Sequence, residues 1–411
     1  VRRSITTRLA GFTGGPVLAA FAPMLILPVI TRVAPEGWAS FAAGQSVGLI
    51  GMIVMMFGWS IAGPVRIARA ADQDERAHIL AESFYTRAIA AAIVLPLAAI
   101  IAAAVASPAY RFDAVAIALA SALGGFSPSW FCIGAGQPAK LTLYDVLPKL
   151  LAAAGAVVLV LLTGQITWYA VLLALFCIVA YAAHARREMR GHHTGRLSVG
   201  EVRHALRAQL PTAAIDTVSN SYGATPVPIA SAGLPVADAN PFASADRVYR
   251  LGLLAVVAFG NAFQGWVLER DATDRPARHR LAIISHVTLG VAGGLGIAIL
   301  GPWATAIAFG QDVKATPIAC LLFGLAFVCI SSTTPFIRNV LVPHGRFRLV
   351  LAVTCVSALA GLTVMISGAA SGSATVIAIG VLTSEVITMT ALIIPAARLL
   401  RREAATPTSP S

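Results

Sequence analysis

Charge is what this sequence has least of. Only 12% of its 411 residues are Asp, Glu, Lys or Arg, about half the share of roughly 25% in a soluble domain. So little charge cannot cover a water-facing surface, and a soluble globular protein is excluded. Cysteine is also sparse. The five (Cys132, Cys177, Cys320, Cys329 and Cys355) lie in apolar runs, form no C-x-x-C pair and are odd in number. They read as small buried hydrophobes rather than a disulfide framework or metal ligands. The motifs G-x-x-x-x-G-K-[ST], G-x-G-x-x-G and H-E-x-x-H are missing, which argues against ATP hydrolysis by this chain. The eight histidines show no metal-ligand spacing, and His192–His193 sits in a basic loop. No metal and no cofactor is expected.

What is present in abundance is apolar length. The chain is 57% hydrophobic, with mean hydropathy +0.80. Many charge-free runs reach about 20 residues, enough to cross a hydrocarbon core about 30 Å thick. Twelve spans are expected, near 10–31, 39–62, 87–107, 113–133, 142–162, 167–185, 209–231, 247–268, 281–300, 316–336, 347–367 and 374–397. The ninth and tenth are the hardest to separate, because the run 281–310 is long. The first run exceeds a signal-peptide core and is followed by further spans, so it reads as a retained helix. The chain opens with Val1 rather than Met, which fits an alternative start codon or a trimmed end.

Positive charge is unevenly shared among the loops. One alternate set holds 24 of the 30 Lys and Arg, the other holds 5, and Lys149 falls inside a span. Basic loops stay on the cytoplasmic side, so both termini are expected there. The same rule accounts for the net charge of +12 without nucleic acid as a partner. The expectation is an all-α polytopic protein of the cytoplasmic (inner) membrane, with about 12 transmembrane helices in two six-helix bundles. The bundles would be 1–185 and 209–397, joined by a basic cytoplasmic linker 186–208 and followed by a disordered tail 398–411. The halves look related: "FAAGQSVGLIGM" (41–52) aligns with "FASADRVYRLGLL" (242–254), and "SWFCIGAGQPAK" with "TPFIRNVLVPHGR", placing Phe131 over Phe336. Transporters built from repeats carry substrate between the halves.

The few polar groups left in the spans are the candidate site. A charge at the bilayer centre costs about 2.5–3.5 kcal/mol on insertion scales, so it faces a bundle interior or a wet cavity. Asp216 and Asn220 lie in "PTAAIDTVSNSYGATPVPIAS", the most polar span, and read as a cavity wall with an ion-coupling carboxylate or as an interhelical hydrogen bond. Glu385 sits mid-way along the last span and reads as a coupling-ion ligand or a neutral hydrogen-bonded carboxyl. Arg32 ends the first span, as a snorkelling residue or an anion contact, since its planar fork suits phosphate. Asp145 and Lys149 are four apart with the acid first, and can pair on one helix face. Lys149 could exchange that structural partner for a phosphate. Lys140 is placed on the cytoplasmic side near Asp145, and Gly290-x-x-Gly293 suggests close helix packing.

Three stretches resemble bacterial polysaccharide flippases of the multidrug/oligosaccharidyl-lipid/polysaccharide exporter superfamily. They are "PMLILPVITRVAPEGWASFAAGQSVG", "PSWFCIGAGQPAKLTLYDVLPKLL", and the pair "AIDTVSNSYG" with "PFASADRVYRLGLL". The resemblance implies two six-helix bundles around a partly cationic cavity. It implies flipping of an undecaprenyl-diphosphate-linked oligosaccharide from the inner to the outer leaflet by alternating access. It carries over Arg32, Lys149 and Arg247 as anion contacts, Asp216 as a cavity group, and Trp130, which reads here as an anchor at the inner interface. The sequence departs from the family at Ile133, where Gln is frequent, and at "AGQPAK", where an acidic–basic pair is usual. Partners implied are the lipid-linked sugar, membrane lipid, and the polymerase and glycosyltransferases of a surface-polysaccharide pathway. A multidrug/cation antiporter of the same superfamily is the alternative, using Asp216 and Glu385. A membrane polysaccharide polymerase or ligase is opposed by short outer loops without a clustered His/Arg/Asp set.

Overall fold

The computed structural model describes residues 23–191, 197–267 and 274–405; the side chains at 23, 215, 218–220, 262, 265 and 402–405 are excepted. Most of the expected first span, His192–His193, and the tail from Thr406 lie outside the described residues, as does the side chain of Asn220. Every regular element among the described residues is helical. The first helices are α1 (Pro23–Val33), α2 (Trp38–Met56), α3 (Trp59–Arg69), α4 (Gln73–Val105) and α5 (Arg111–Ala122). Two short helices, Ser129–Gly134 and Pro138–Leu141, lead through a π-type turn (Thr142–Val146) into α6 (Leu147–Thr163). Then come α7 (Thr167–Met189), α8 (Val199–Ser221), α9 (Pro226–Gly233) and α10 (Val236–Val267). The last are α11 (Arg275–Phe309), α12 (Pro317–Pro335), α13 (Phe347–Ala370) and α14 (Ala374–Ala405).

Among the described residues nine helical segments are long and apolar enough to cross a membrane. The protein is a multi-span membrane protein. The long run 281–310 lies in a single helix: α11 stays continuous to Phe309, and a turn at Gly310 (φ 103°) separates it from α12. The span expected at 39–62 is broken. Phe57 (φ 49°) and Gly58 (φ 76°) are both left-handed, so α2 ends and α3 sets off in a new direction. The span expected at 87–107 starts much earlier. Asp72 caps α4 by accepting from the Glu75 backbone N–H at 2.8 Å, and the helix then runs unbroken through Arg87.

The contacts divide the chain into two compact units, one running to Ala232 and the other starting at Gly233. The division falls later in sequence than the basic stretch 186–208, because α8 packs on α2, α3 and α4 of the first unit. A capping box starts α8: Ser198 accepts from the Glu201 N–H, while the Glu201 carboxylate accepts from the Ser198 N–H at 2.6 Å. The Ser198 backbone N–H, then its hydroxyl, hold the Glu201 carboxyl below the ordinary range.

Small residues set the close helix contacts in both units, as expected where lipid offers no competing hydrophobic drive. In the first, a Cβ on Gly44 or Gly48 would fall 2.3 or 2.4 Å from the carbonyl oxygens of Ala114 and Ala118, so α2 and α5 touch through backbone. In the second, Gly294 of α11 faces Gly324 of α12, each blocked at 2.5–2.6 Å by the other's carbonyl oxygen. Gly290 and Gly293 are packing positions too, against Ser331 and the Phe327 ring. Gly294→Leu is expected to force α11 from α12 and cost about 3 kcal/mol, the upper range for overpacking a fitted contact. The check is thermal unfolding of detergent-purified protein, with Gly296→Leu as control, since nothing lies within 4 Å of a Cβ there.

Candidate functional site

The stretch from Gly125 to Lys149 is organised by Arg87, the first residue of the span expected at 87–107. Arg87 of α4 is completely buried. Its Nε donates to the Ser83 carbonyl at 3.0 Å, and Nη2 to the Ser83 hydroxyl at 3.0 Å. Its Nη1 donates to the carbonyls of Gly125 at 3.1 Å and Ser127 at 3.2 Å. The guanidinium lies over the rings of Phe126, Trp130 and Tyr181, at 5.4–5.7 Å from their centroids. Arg87 is therefore an internal strut, not a solvated cytoplasmic charge, and it fixes the chain ahead of Pro128.

Ser127, held in this way, turns its hydroxyl to Asp145 at 2.6 Å. The same carboxylate oxygen, Oδ1, accepts from Lys149 Nζ at 2.9 Å. The π-type turn lies between the helices here, and Asp145 is the hinge of a Ser127–Asp145–Lys149 chain that ties two spans together. Both side chains of the ion pair are partly accessible, Lys149 at 28% and Asp145 at 11%. A carboxylate oxygen shared by two donors is held firmly, while Lys149 keeps two further N–H donors for another acceptor. Lys140 does not join this group; it pairs with Glu188 at 2.5 Å.

Trp130 is 1% exposed, so the interface-anchor role is corrected. It packs against Trp59 (5.0 Å between centroids) and Phe131 (5.8 Å) in a core cluster with Ile67, Ile79 and Leu80. The reason is Gly63, whose missing side chain admits the indole; a Cβ there would sit 2.2 Å from the ring.

Asp216 is buried at 6% exposure and accepts from the Ser60 hydroxyl at 2.5 Å. The break at Phe57–Gly58 makes that contact possible, since Gly58 lies against the backbone of Thr212 and Ala213 in α8. On the same helix face, a cavity of about 620 Å³ opens between α3, α4 and α8. Arg66, His78, Glu82, His204, Gln209 and Thr212 line it. Arg66 holds Glu82 in a two-pronged ion pair, at 2.8 and 2.5 Å. Ser60, Arg87, Ser127 and the Arg66–Glu82 pair were missed from sequence, because their partners lie 16 to 156 residues away.

The remaining candidates fall elsewhere. Arg32 is exposed at the end of α1, and its Nη1 donates back to the Pro28 carbonyl at 2.7 Å. Arg247 is half-buried in α10 of the second unit. Beside it, Asp246 accepts from Arg250 at 2.5 Å. Glu385 of α14 is half-buried near Cys329 and has no hydrogen bond or ion pair among the described residues. The neighbouring hydroxyls are engaged otherwise: Ser384 with the Val381 carbonyl, and Thr388 with Ser357. The structure thus joins Lys149 to Asp145, and does not join Arg32 or Glu385 to either.

No protein-family model and no curated protein matches the chain by sequence. By structure it is similar to an inward-facing multidrug resistance MATE family transporter of the MOP superfamily, with TM-score 0.63 and 15% identity over 94% of this chain and 99% of that one. It is also similar to the lipid II flippase MurJ in an inward closed conformation, with TM-score 0.71 and 10% identity over 99% of this chain and 93% of that one. The chain shares the fold of these two solved structures. At these identities the likeness fixes architecture and leaves the cargo to be argued from residues.

Proposed function

We propose that the protein is a transporter of the cytoplasmic membrane that flips an undecaprenyl-diphosphate-linked oligosaccharide between leaflets by alternating access of two six-helix bundles, with both termini cytoplasmic. The observation that carries this reading is the whole-chain likeness to a lipid II flippase, joined to the three sequence stretches that resemble polysaccharide flippases. Lys149 supplies a partly accessible ammonium with donors to spare, and a diphosphate headgroup would displace it from Asp145. Arg32 and Arg247 would be further anion contacts. Pathway glycosyltransferases would supply the cargo and a polymerase would consume it.

The test is surface-polysaccharide export in cells whose own flippase is deleted and replaced by this chain. Lys149→Ala should cut export about tenfold or more, since a hydrogen bond to a charged group contributes about 1.5–3 kcal/mol. Asp145→Asn, which frees Lys149, should keep export. Normal export with Lys149→Ala, at wild-type protein levels, would remove Lys149 as the phosphate contact.

A cation antiporter is the second reading, and one observation favours it: the Glu385 carboxyl inside the second unit, which has no hydrogen bond or ion pair among the described residues. Overexpression should then confer resistance to cationic drugs, and Glu385→Gln and Asp216→Asn should each abolish it. Export of polysaccharide with no drug resistance would reject this reading.

A further inference from the structure

A binding site unrelated to the buried polar groups lies at the C-terminal end of α7. We infer that it holds an anionic phospholipid, acyl chain along the helix and phosphate at its last turn. The sequence places Leu175, Val179, Ala182, Arg186 and Arg190 at successive steps of three or four, which is one helix face. That face is open: Leu175 and Val179 are 52% and 56% exposed, and Ala182, Arg186 and Arg190 are exposed as well. An open space of about 990 Å³ lies along Val179, Ala182, Ala183 and Met189, with Arg186, Arg187 and Arg190 beside it, and all of its described lining belongs to this one helix end.

Charge decides the occupant. None of the three arginines has a hydrogen bond or ion pair among the described residues. The one acid in the turn, Glu188, is turned away and neutralised by Lys140. The other side of the helix is closed by packing, with His184 fully buried against Phe131 and Tyr144. An apolar helix face that ends in three guanidinium groups, unpaired among the described residues, matches an acyl chain joined to a phosphate. Guanidinium binds phosphate oxygens in pairs.

The site is tested by the relative association of spin-labelled phosphatidylglycerol and phosphatidylcholine with the full-length protein in phosphatidylcholine vesicles. The wild type should prefer phosphatidylglycerol. Arg186→Gln with Arg187→Gln and Arg190→Gln should lower that preference roughly a hundredfold, since each arginine near an anionic surface contributes about fivefold. Ala183→Trp fills the open space and leaves every arginine in place, and should lower it as well. Arg346→Gln with Arg348→Gln, another exposed basic pair, should leave it unchanged. A wild type without preference, or a preference that survives the three arginine changes, overturns the site. So does a preference that Ala183→Trp leaves intact, because it would come from diffuse charge rather than this helix face.

Discussion

Arg87→Leu is expected to leave almost no folded protein in the membrane. The substitution keeps an apolar side chain of useful size, so the loss would come from what the guanidinium holds. The carbonyls of Gly125 and Ser127 would lose their donor in a region with no water to replace it. Each buried carbonyl left unsatisfied costs about 1–3 kcal/mol. The faces of Phe126, Trp130 and Tyr181 would also lose the cation over them, worth about 0.5–2 kcal/mol where it is desolvated. A total near 5 kcal/mol is comparable with the whole stability of many domains, about 5–15 kcal/mol. Arg87→Lys keeps the charge, but a single ammonium cannot span Ser83 on one side and Ser127 on the other, so an intermediate loss is expected. Thermal unfolding in detergent and the amount of protein in membranes report both. An Arg87→Leu protein that melts with the wild type would show that the strut is dispensable.

The same residue shows where sequence reading stops. Arg87 follows "HILAESFYT" at the entry to an apolar run, where a basic residue ordinarily belongs to the cytoplasmic loop. Hydropathy reports where lipid is, not where a helix begins, and α4 starts at Gln73 with its charged turns outside the apolar segment. Nothing local announces that Gly125 and Ser127 will turn their carbonyls toward position 87. The apolar character of the spans was legible because it is a property of runs. The Asp145–Lys149 pair was legible because an acid four residues before a base shares its helix face. Ser127, the second donor to that acid, was not, since its place depends on the bend before Pro128 and on Arg87. Trp130 was misplaced for a related reason. Tryptophan near a span end usually meets the interface, but a glycine in another helix makes an indole-sized slot here. Asp216 stood out by composition, whereas its partner Ser60 lies 156 residues away across a helix break.

That break carries the other large effect. Gly58→Val is expected to uncouple α3 from α8 and to abolish the proposed transport along with most of the stability. Two causes act together. Gly58 has φ 76°, and a side chain in the left-handed region costs about 1–2 kcal/mol, more when it branches at Cβ. A Cβ there would also sit 2.8 Å from the Ala213 nitrogen and 3.0 Å from the Thr212 carbonyl carbon. Backbone cannot yield as a flexible side chain would, so α8 must move, and overpacking of this kind adds about 1–3 kcal/mol. The displaced helix is the one that brings Asp216 to Ser60, so the hydrogen bond should be lost with it. Gly164→Ala separates the two causes. Its φ is 70°, and nothing lies within 4 Å of a Cβ there, so only backbone strain remains and a loss near 1 kcal/mol is expected. If Gly58→Val and Gly164→Ala melt alike, the contact with α8 contributes little, and Asp216 does not depend on the break. If Gly58→Val falls several degrees further and Ser60→Ala impairs transport without lowering the melting temperature as far, the break is the device that delivers Ser60 to the buried carboxylate.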